Sequence, residues 1–292
     1  MDEVFDPAIH RPFVEGVPYR GKYETGLYPG GKNEIPKDHL EAGKRVAATI
    51  LPLDVTGKPD RKGGRITAII KGHSNCRMYF EALETTLLLR DWSSRLDPCF
   101  NIINAAVGGQ QLPEIVQLQG RVWDLAKNLL ERPGFSAQQV QVLFLHTTYH
   151  GAVNKDRMPP GEFPERMKRM QHDLLTVLEH CALIYPQLKI AYLTCDGFRY
   201  FTGFEPHVWR EAFGFKWLIE SQIKGRAGTE FEGKKRRIPW LQWGPYIWDS
   251  TWHASYFTDG VHPAPKARAI FIERYWEHLR GDPVTKTWLW NR

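Results

Sequence analysis

A chain of 292 residues with 42% apolar and 25% charged residues is long enough for one large α/β domain with elaborated loops. The formal charge of +6 is modest, and the densest basic run, Lys234-Lys235-Arg236-Arg237, is short. It fits a solvated loop rather than a nucleic-acid face, and no run approaches the roughly 18 apolar residues of a membrane-spanning helix.

Residues 1–64 show little periodicity and are rich in Gly, Pro and charge. Gly26-Leu27-Tyr28-Pro29-Gly30-Gly31 is dense in turn residues, and a short helix is expected over 36–48. The segment reads as an arm wrapping the main domain, residues 65–292, rather than as a second domain. Met1-Asp2-Glu3-Val4-Phe5 has neither a basic n-region nor an apolar h-region. That start fits a cytoplasmic protein, or a secreted or periplasmic one whose leader has been removed.

From Arg65 onward short apolar runs alternate with helical patterns. Strands are predicted over 66–71, 100–106, 141–147 and 189–194, each rich in β-branched or apolar residues. Helices are predicted over 78–92, 113–130 and 165–185, where apolar residues recur at three and four. Two more follow over 206–223 and 265–279. Strands separated by helices of this length imply βαβ units and a parallel sheet whose strand C-termini share one edge. Between the last two helices lies an aromatic loop, Trp240-Leu241-Gln242-Trp243-Gly244-Pro245-Tyr246-Ile247-Trp248. Trp243 and Trp248 there can form a flat wall for a sugar or aryl ester, or fill a core against the sheet.

The cysteines Cys76, Cys99, Cys181 and Cys195 lack CxxC spacing, which argues against a zinc knuckle or a thioredoxin-like motif. Cys181 and Cys195 lie in or beside apolar runs, where buried free thiols are expected. One disulfide stays open.

Four stretches fall at strand ends on the predicted edge. After the first strand comes Gly72-His73-Ser74-Asn75, opening a helix. A serine there can be a nucleophile beside free backbone N–H groups. After the second comes Asn104-Ala105-Ala106-Val107-Gly108-Gly109-Gln110, whose glycines allow a tight turn that presents an N–H to an oxyanion. After the third comes His146-Thr147-Thr148-Tyr149-His150. The last is Asp259-Gly260-Val261-His262-Pro263, in which a carboxylate three residues before an imidazole can hold its Nδ1–H and turn Nε2 toward a serine. A bare DxxH occurs in many unrelated proteins; joined to a strand-end serine it becomes specific.

With these blocks in this order, residues 65–275 resemble the SGNH (GDSL-like) hydrolase superfamily. More narrowly the chain is similar to a bacterial branch carrying Gly-Leu-Tyr-Pro-Gly-Gly near the N-terminus and segments like Trp243-Gly244-Pro245-Tyr246-Ile247-Trp248. The resemblance implies a flavodoxin-like three-layer α/β/α sandwich with a parallel sheet of about five strands, and a serine esterase that needs no cofactor. Its substrate would be a small-molecule or carbohydrate ester, acetyl esters among them, with no nucleic-acid or membrane partner. Carried over position by position, Ser74 is the nucleophile, His262 the general base and Asp259 its orienting carboxylate. The oxyanion donors are the Ser74 N–H, Gly109 (Gly108 if the register slips by one) and Thr148. His73, Asn75, His146, Tyr149, Trp243 and Trp248 would face substrate.

Two departures stand out. The usual Gly-Asp-Ser is here Gly72-His73-Ser74, and the family's block-three asparagine falls on Thr148. The second motivates an alternative, a weak or inactive carbohydrate-binding descendant of the fold. A third reading, a metal-dependent hydrolase using His146 and His150, lacks a third ligand. Arg199 and Tyr200, after the fourth strand, would line the pocket or pack elsewhere.

Overall fold

The computed structural model describes residues 5–81, 91–149, 161–195, 205–248 and 251–290. Its centre is β1 (Ile66–Gly72), all seven residues of which are buried. β2 (Phe100–Asn104) pairs along one side of β1 and β3 (Val140–His146) along the other, followed outward by β4 (Ile190–Thr194) and β5 (Trp240–Trp243). Every pairing is parallel, and the order β2-β1-β3-β4-β5 is the flavodoxin-like one.

Right-handed crossovers distribute the helices over both faces. One face carries α1 (Lys37–Ala47), α2 (Ser74–Glu81) and α7 (Pro265–Gly281). There Tyr79 and Phe80 of α2 meet Phe271 and Tyr275 of α7 at ring separations of 5.3 and 5.2 Å. The other carries α3 (Leu112–Ile115), α4 (Arg121–Leu130), α5 (Glu165–Ile184) and α6 (Glu205–Ile223), with α5 packed along α6. The result is a three-layer α/β/α sandwich.

Two elements differ from the sequence reading. The helix predicted over 113–130 is two helices, because Gly120 adopts φ +103° and restarts the chain at Arg121. The first half of the aromatic loop is a buried strand, β5. Its residues pair with β4 in register from Ile190↔Trp240 to Leu193↔Trp243. Tryptophan masks a strand signal less well than glycine does, yet a four-residue run is too short to show a period. The four cysteines are all free.

The arm grips the α6–β5 side. Phe13 packs edge-on against Trp209 and Phe213 of α6 at 5.2 and 4.6 Å. Buried Lys216 donates to the Tyr28 carbonyl at 2.9 Å and pairs with Glu220 at 2.8 Å. The ring of His39 stacks on Trp240 at 4.8 Å. Its Nε2 lies 2.8 Å from the Leu241 carbonyl oxygen, so that nitrogen carries the proton. The Leu241 N–H in turn donates to Gln222 at 2.7 Å, and the Trp243 N–H to the Tyr28 hydroxyl at 3.4 Å.

One core residue opposes its surroundings. Lys71 on β1 is fully buried, its Nζ 3.9 Å from the Trp123 ring centroid and 3.4 Å from the Val122 carbonyl oxygen. Burial pulls its ammonium down to about 8. The unfolded lysine titrates near 10.4, so the unfolded chain holds more protons between those values and stability rises with pH across that window. Below pH 8 the penalty is complete, about 3 kcal/mol. Lys71→Met is therefore expected to raise the urea midpoint at pH 7 and to flatten its rise toward pH 10. An unchanged midpoint at both pH values would show that the ring contacts already offset the burial.

Candidate active site

Gly72 sets the geometry. A Cβ at this position would lie 1.9 Å from the His146 carbonyl oxygen, so only glycine lets the end of β1 lie this close to β3. His73 follows, and α2 begins at Ser74. The first-turn Ser74 N–H has no intrahelical acceptor, and among the described residues none is placed for it elsewhere. Ser74 thus stands at the sheet's C-terminal edge, where the strand order reverses at β1, the usual ligand position in open α/β folds.

The histidine arrives in a closed turn. The Thr258 N–H donates to the His262 carbonyl at 2.8 Å, Phe257 bridges to Pro263, and Gly260 supplies φ +79° at the tip. Inside the turn Asp259 Oδ1 accepts the N–H groups of Val261 and His262 at 3.0 and 2.8 Å. Asp259 Oδ2 then lies 2.7 Å from His262 Nδ1, and His262 Nε2 lies 2.9 Å from Ser74 Oγ. Since the carboxylate accepts only, Nδ1 carries the proton and Nε2 is left to accept from the serine. Asn75 on α2 reaches across, its Nδ2 3.5 Å from the Val261 carbonyl oxygen, and fastens the turn to the nucleophile's helix.

Partial burial works to raise the Asp259 carboxyl, but the hydrogen bonds from the His262 backbone and ring and the Val261 N–H hold it below the usual carboxylate range. Its ionised form is favoured by the fold, so that contribution is fully present above about pH 4 and fades only as pH falls further. Asp259→Asn keeps the shape but places an amide opposite Nδ1, favouring the wrong tautomer. The expected result is a kcat lower by a factor on the order of 10³ to 10⁴, read from pH–rate profiles of both proteins. A variant within tenfold of wild type would show that the carboxylate is dispensable.

The loop after β2 completes the edge. The Val107 N–H donates to the Gly72 carbonyl at 2.9 Å, and the Gln110 N–H closes a turn onto Val107 at 3.2 Å. A Cβ on Gly108 would lie 3.8 Å from the Ser74 Cβ, whereas one on Gly109, at φ +73°, would meet nothing within 4 Å. Gly108 therefore packs beside the serine, and Gly109 forms the exposed tip of the turn.

Thr148 is placed differently from the reading that offered it to an oxyanion. It is buried, and its single hydroxyl proton is directed to Glu211 of α6 at 2.7 Å. The other oxygen of Glu211 accepts the Tyr149 N–H at 3.0 Å, and the Tyr149 hydroxyl donates to Asp173 of α5. Hydrogen bonding to that carboxylate and burial together push the Tyr149 phenol far above its ordinary value, with burial the larger cause. Glu211 was not singled out from the sequence. The available signal was a charged pair, Arg210-Glu211, inside an otherwise apolar helical run.

His73 and His146 are both buried and meet edge to face at 5.4 Å, with His146 also stacked on Tyr79 at 5.7 Å. They back the nucleophile from the protein side. Trp243 is buried, donates from Nε1 to the Leu27 carbonyl at 2.6 Å and packs on Tyr246, while Trp248 is 5% exposed and packs on Phe5. Trp243 lies on β5, three strand spacings or about 14 Å from β1. Both tryptophans pack against the arm. His150, Arg199 and Tyr200 lie outside the described residues. Among those described, no group of three or more His, Cys, Asp or Glu is arranged to hold a metal.

No family model and no curated protein matches this sequence. Solved structures do match in shape. TesA aligns at 14% identity over 75% of this chain and 99% of its own, with a TM-score of 0.44. A lipase from a goat rumen metagenome aligns at 13% over 74% and 98%, with a TM-score of 0.39. A protein assigned as an SGNH hydrolase, from Slackia heliotrinireducens, aligns at 14% over 72% and 98%, with a TM-score of 0.37. What this chain can do chemically is set by its own side chains.

Proposed function

We propose that the protein is a serine hydrolase of carboxylic esters, of the SGNH type. The observation that carries the proposal is the unbroken run from Ser74 Oγ through His262 to Asp259, with steps of 2.9 and 2.7 Å. A serine hydroxyl is a weak nucleophile unless a neighbouring base removes its proton in the transition state, and that base needs its tautomer fixed. Both conditions are met at one sheet edge.

In the first half-reaction Ser74 Oγ attacks the ester carbonyl carbon while its proton passes to His262 Nε2. The carbonyl π-electrons move onto oxygen, and backbone N–H groups of Ser74 and of the Gly108-Gly109 turn would receive that charge. Collapse breaks the acyl C–O bond, and His262 returns the proton to the departing alkoxide. Water then attacks the acyl-serine by the same route in reverse, giving the carboxylic acid and free Ser74. Side chains of this chain serve every proton transfer, so the scheme calls for no cofactor.

An acetylated sugar or another small polar alcohol suits the site, because the His262 and Asp259 side chains remain 33% and 54% exposed. The tryptophan wall that favoured carbohydrate in the sequence is turned toward the arm, so support for that class now rests on this openness alone.

A fluorophosphonate probe in EDTA tests the chemistry independently of substrate choice. Ser74 is expected to carry the phosphonyl group by peptide mass spectrometry, with a His262→Ala variant unlabelled. A wild-type protein that stays unlabelled would favour the non-catalytic, carbohydrate-binding alternative. Labelling at another residue would overturn Ser74.

A further inference from the structure

We infer that Glu211 is a positioning residue for the oxyanion site, acting through Thr148. The inference rests on the esterase reading above and names a part of the machinery that reading leaves open.

Thr148 ties α6 to α3. Its hydroxyl donates to Glu211 Oε2 on α6 at 2.7 Å, and its carbonyl oxygen accepts the Leu112 N–H at 2.9 Å. Leu112 opens α3, directly after the turn that carries Gly108 beside Ser74. The capping residue of that helix, Gln111, donates its own N–H to Glu114 at 2.9 Å, so the start of α3 is stiff. A displacement of Thr148 therefore moves the glycine turn and not merely a side chain. The position after β3 acts here as an anchor for the donors rather than as a donor.

The carboxylate suits this task for a specific reason. Two donors, the Thr148 hydroxyl and the Tyr149 N–H, approach its two oxygens separately at 2.7 and 3.0 Å. A methionine of similar length offers neither group an acceptor, so a Glu211→Met variant leaves both donors buried without this partner. Glu211 is fully buried, and no water can substitute without a cavity. Across the loop the Asp173–Tyr149 bond gives a second attachment, from α5. It holds the tyrosine and leaves the Thr148 hydroxyl to Glu211.

The test measures p-nitrophenyl acetate hydrolysis by Thr148→Ser, Thr148→Val, Glu211→Met and the Thr148→Val/Glu211→Met double variant. Each rate is divided by the number of sites titrated with the fluorophosphonate probe, so a merely unfolded fraction does not count. Thr148→Val and Glu211→Met are each expected to lower kcat about 10- to 100-fold with KM nearly unchanged, short of the full loss of an oxyanion donor. Thr148→Ser should stay near wild type. The double variant should be no worse than the more impaired single, as for residues acting through one another. Wild-type kcat in Thr148→Val would overturn the inference while leaving the esterase reading intact. A drop in Thr148→Val without one in Glu211→Met would also overturn it, because the hydroxyl would then be serving the oxyanion directly. If Glu211→Met does not fold, the near-isosteric Thr148→Val carries the decision. Absence of phosphonate labelling at Ser74 in the wild type would instead remove the esterase reading and this inference with it.

Discussion

Ser74→Ala is expected to reduce p-nitrophenyl acetate turnover by a factor on the order of 10⁵ or more while leaving the fold intact. In the proposed mechanism the side chain lost is the one that forms the acyl bond, and His262 and Asp259 have no task without it. In serine hydrolases the members of the triad act as a unit, so His262→Ala should cost about as much and the pair of changes little more than either alone. Ser74 is half-buried and the His262 side chain 33% exposed, so neither change opens a core cavity. Unfolding midpoints should therefore stay within about 1 kcal/mol of wild type. The measurement is stopped-flow release of p-nitrophenol in EDTA. An alanine variant that hydrolyses the ester at the wild-type rate would place the nucleophile elsewhere. Equal inactivity of both proteins toward a panel of esters would do the same for the activity as a whole.

The largest expected effect on stability comes from a residue with no side chain. Gly72→Ala inserts a carbon 1.9 Å from the His146 carbonyl oxygen and 3.0 Å from the Cys76 Cβ, against backbone and the first turn of α2. Relief requires β1 to separate from β3 at the centre of the sheet, and the loss should exceed about 4 kcal/mol. Gly109→Ala is the control. Its Cβ meets nothing within 4 Å, so only the left-handed backbone opposes it, at about 1–2 kcal/mol. Urea denaturation of the two variants side by side gives the comparison. Equal midpoints would mean that the strand ends are more compliant than the packing implies.

What the sequence makes legible follows how local the signal is. Ser74 and the Asp259–His262 pair stand out because a strand running into a small-residue turn, or a carboxylate three residues from an imidazole, is a pattern within a few residues. The parallel sheet is legible for the same reason: 66–71 and 141–147 are short, mostly apolar runs, and each observed strand end lies within one residue of the expected one. Non-local features are hidden. Glu211 lies 63 residues beyond Thr148 in sequence, and nothing near either one announces the pair. The tryptophans mislead because a flat ring serves a sugar and a neighbouring helix equally well. Which of them it meets depends on the arm, more than 200 residues away in the bond from Trp243 to Leu27.

The bonds that the arm and α6 make to β5 matter beyond holding the arm in place. β5 is the last strand of the sheet, and an uncovered terminal strand offers its free amides and carbonyls to any extended chain that passes. In this protein the Leu241 carbonyl meets His39, the Leu241 amide meets Gln222, and the Trp243 amide meets Tyr28. Side chains thus satisfy the groups that a neighbouring molecule would otherwise claim. Through His39 and Tyr28 the first fifty residues thus help to close this edge to pairing with another extended chain.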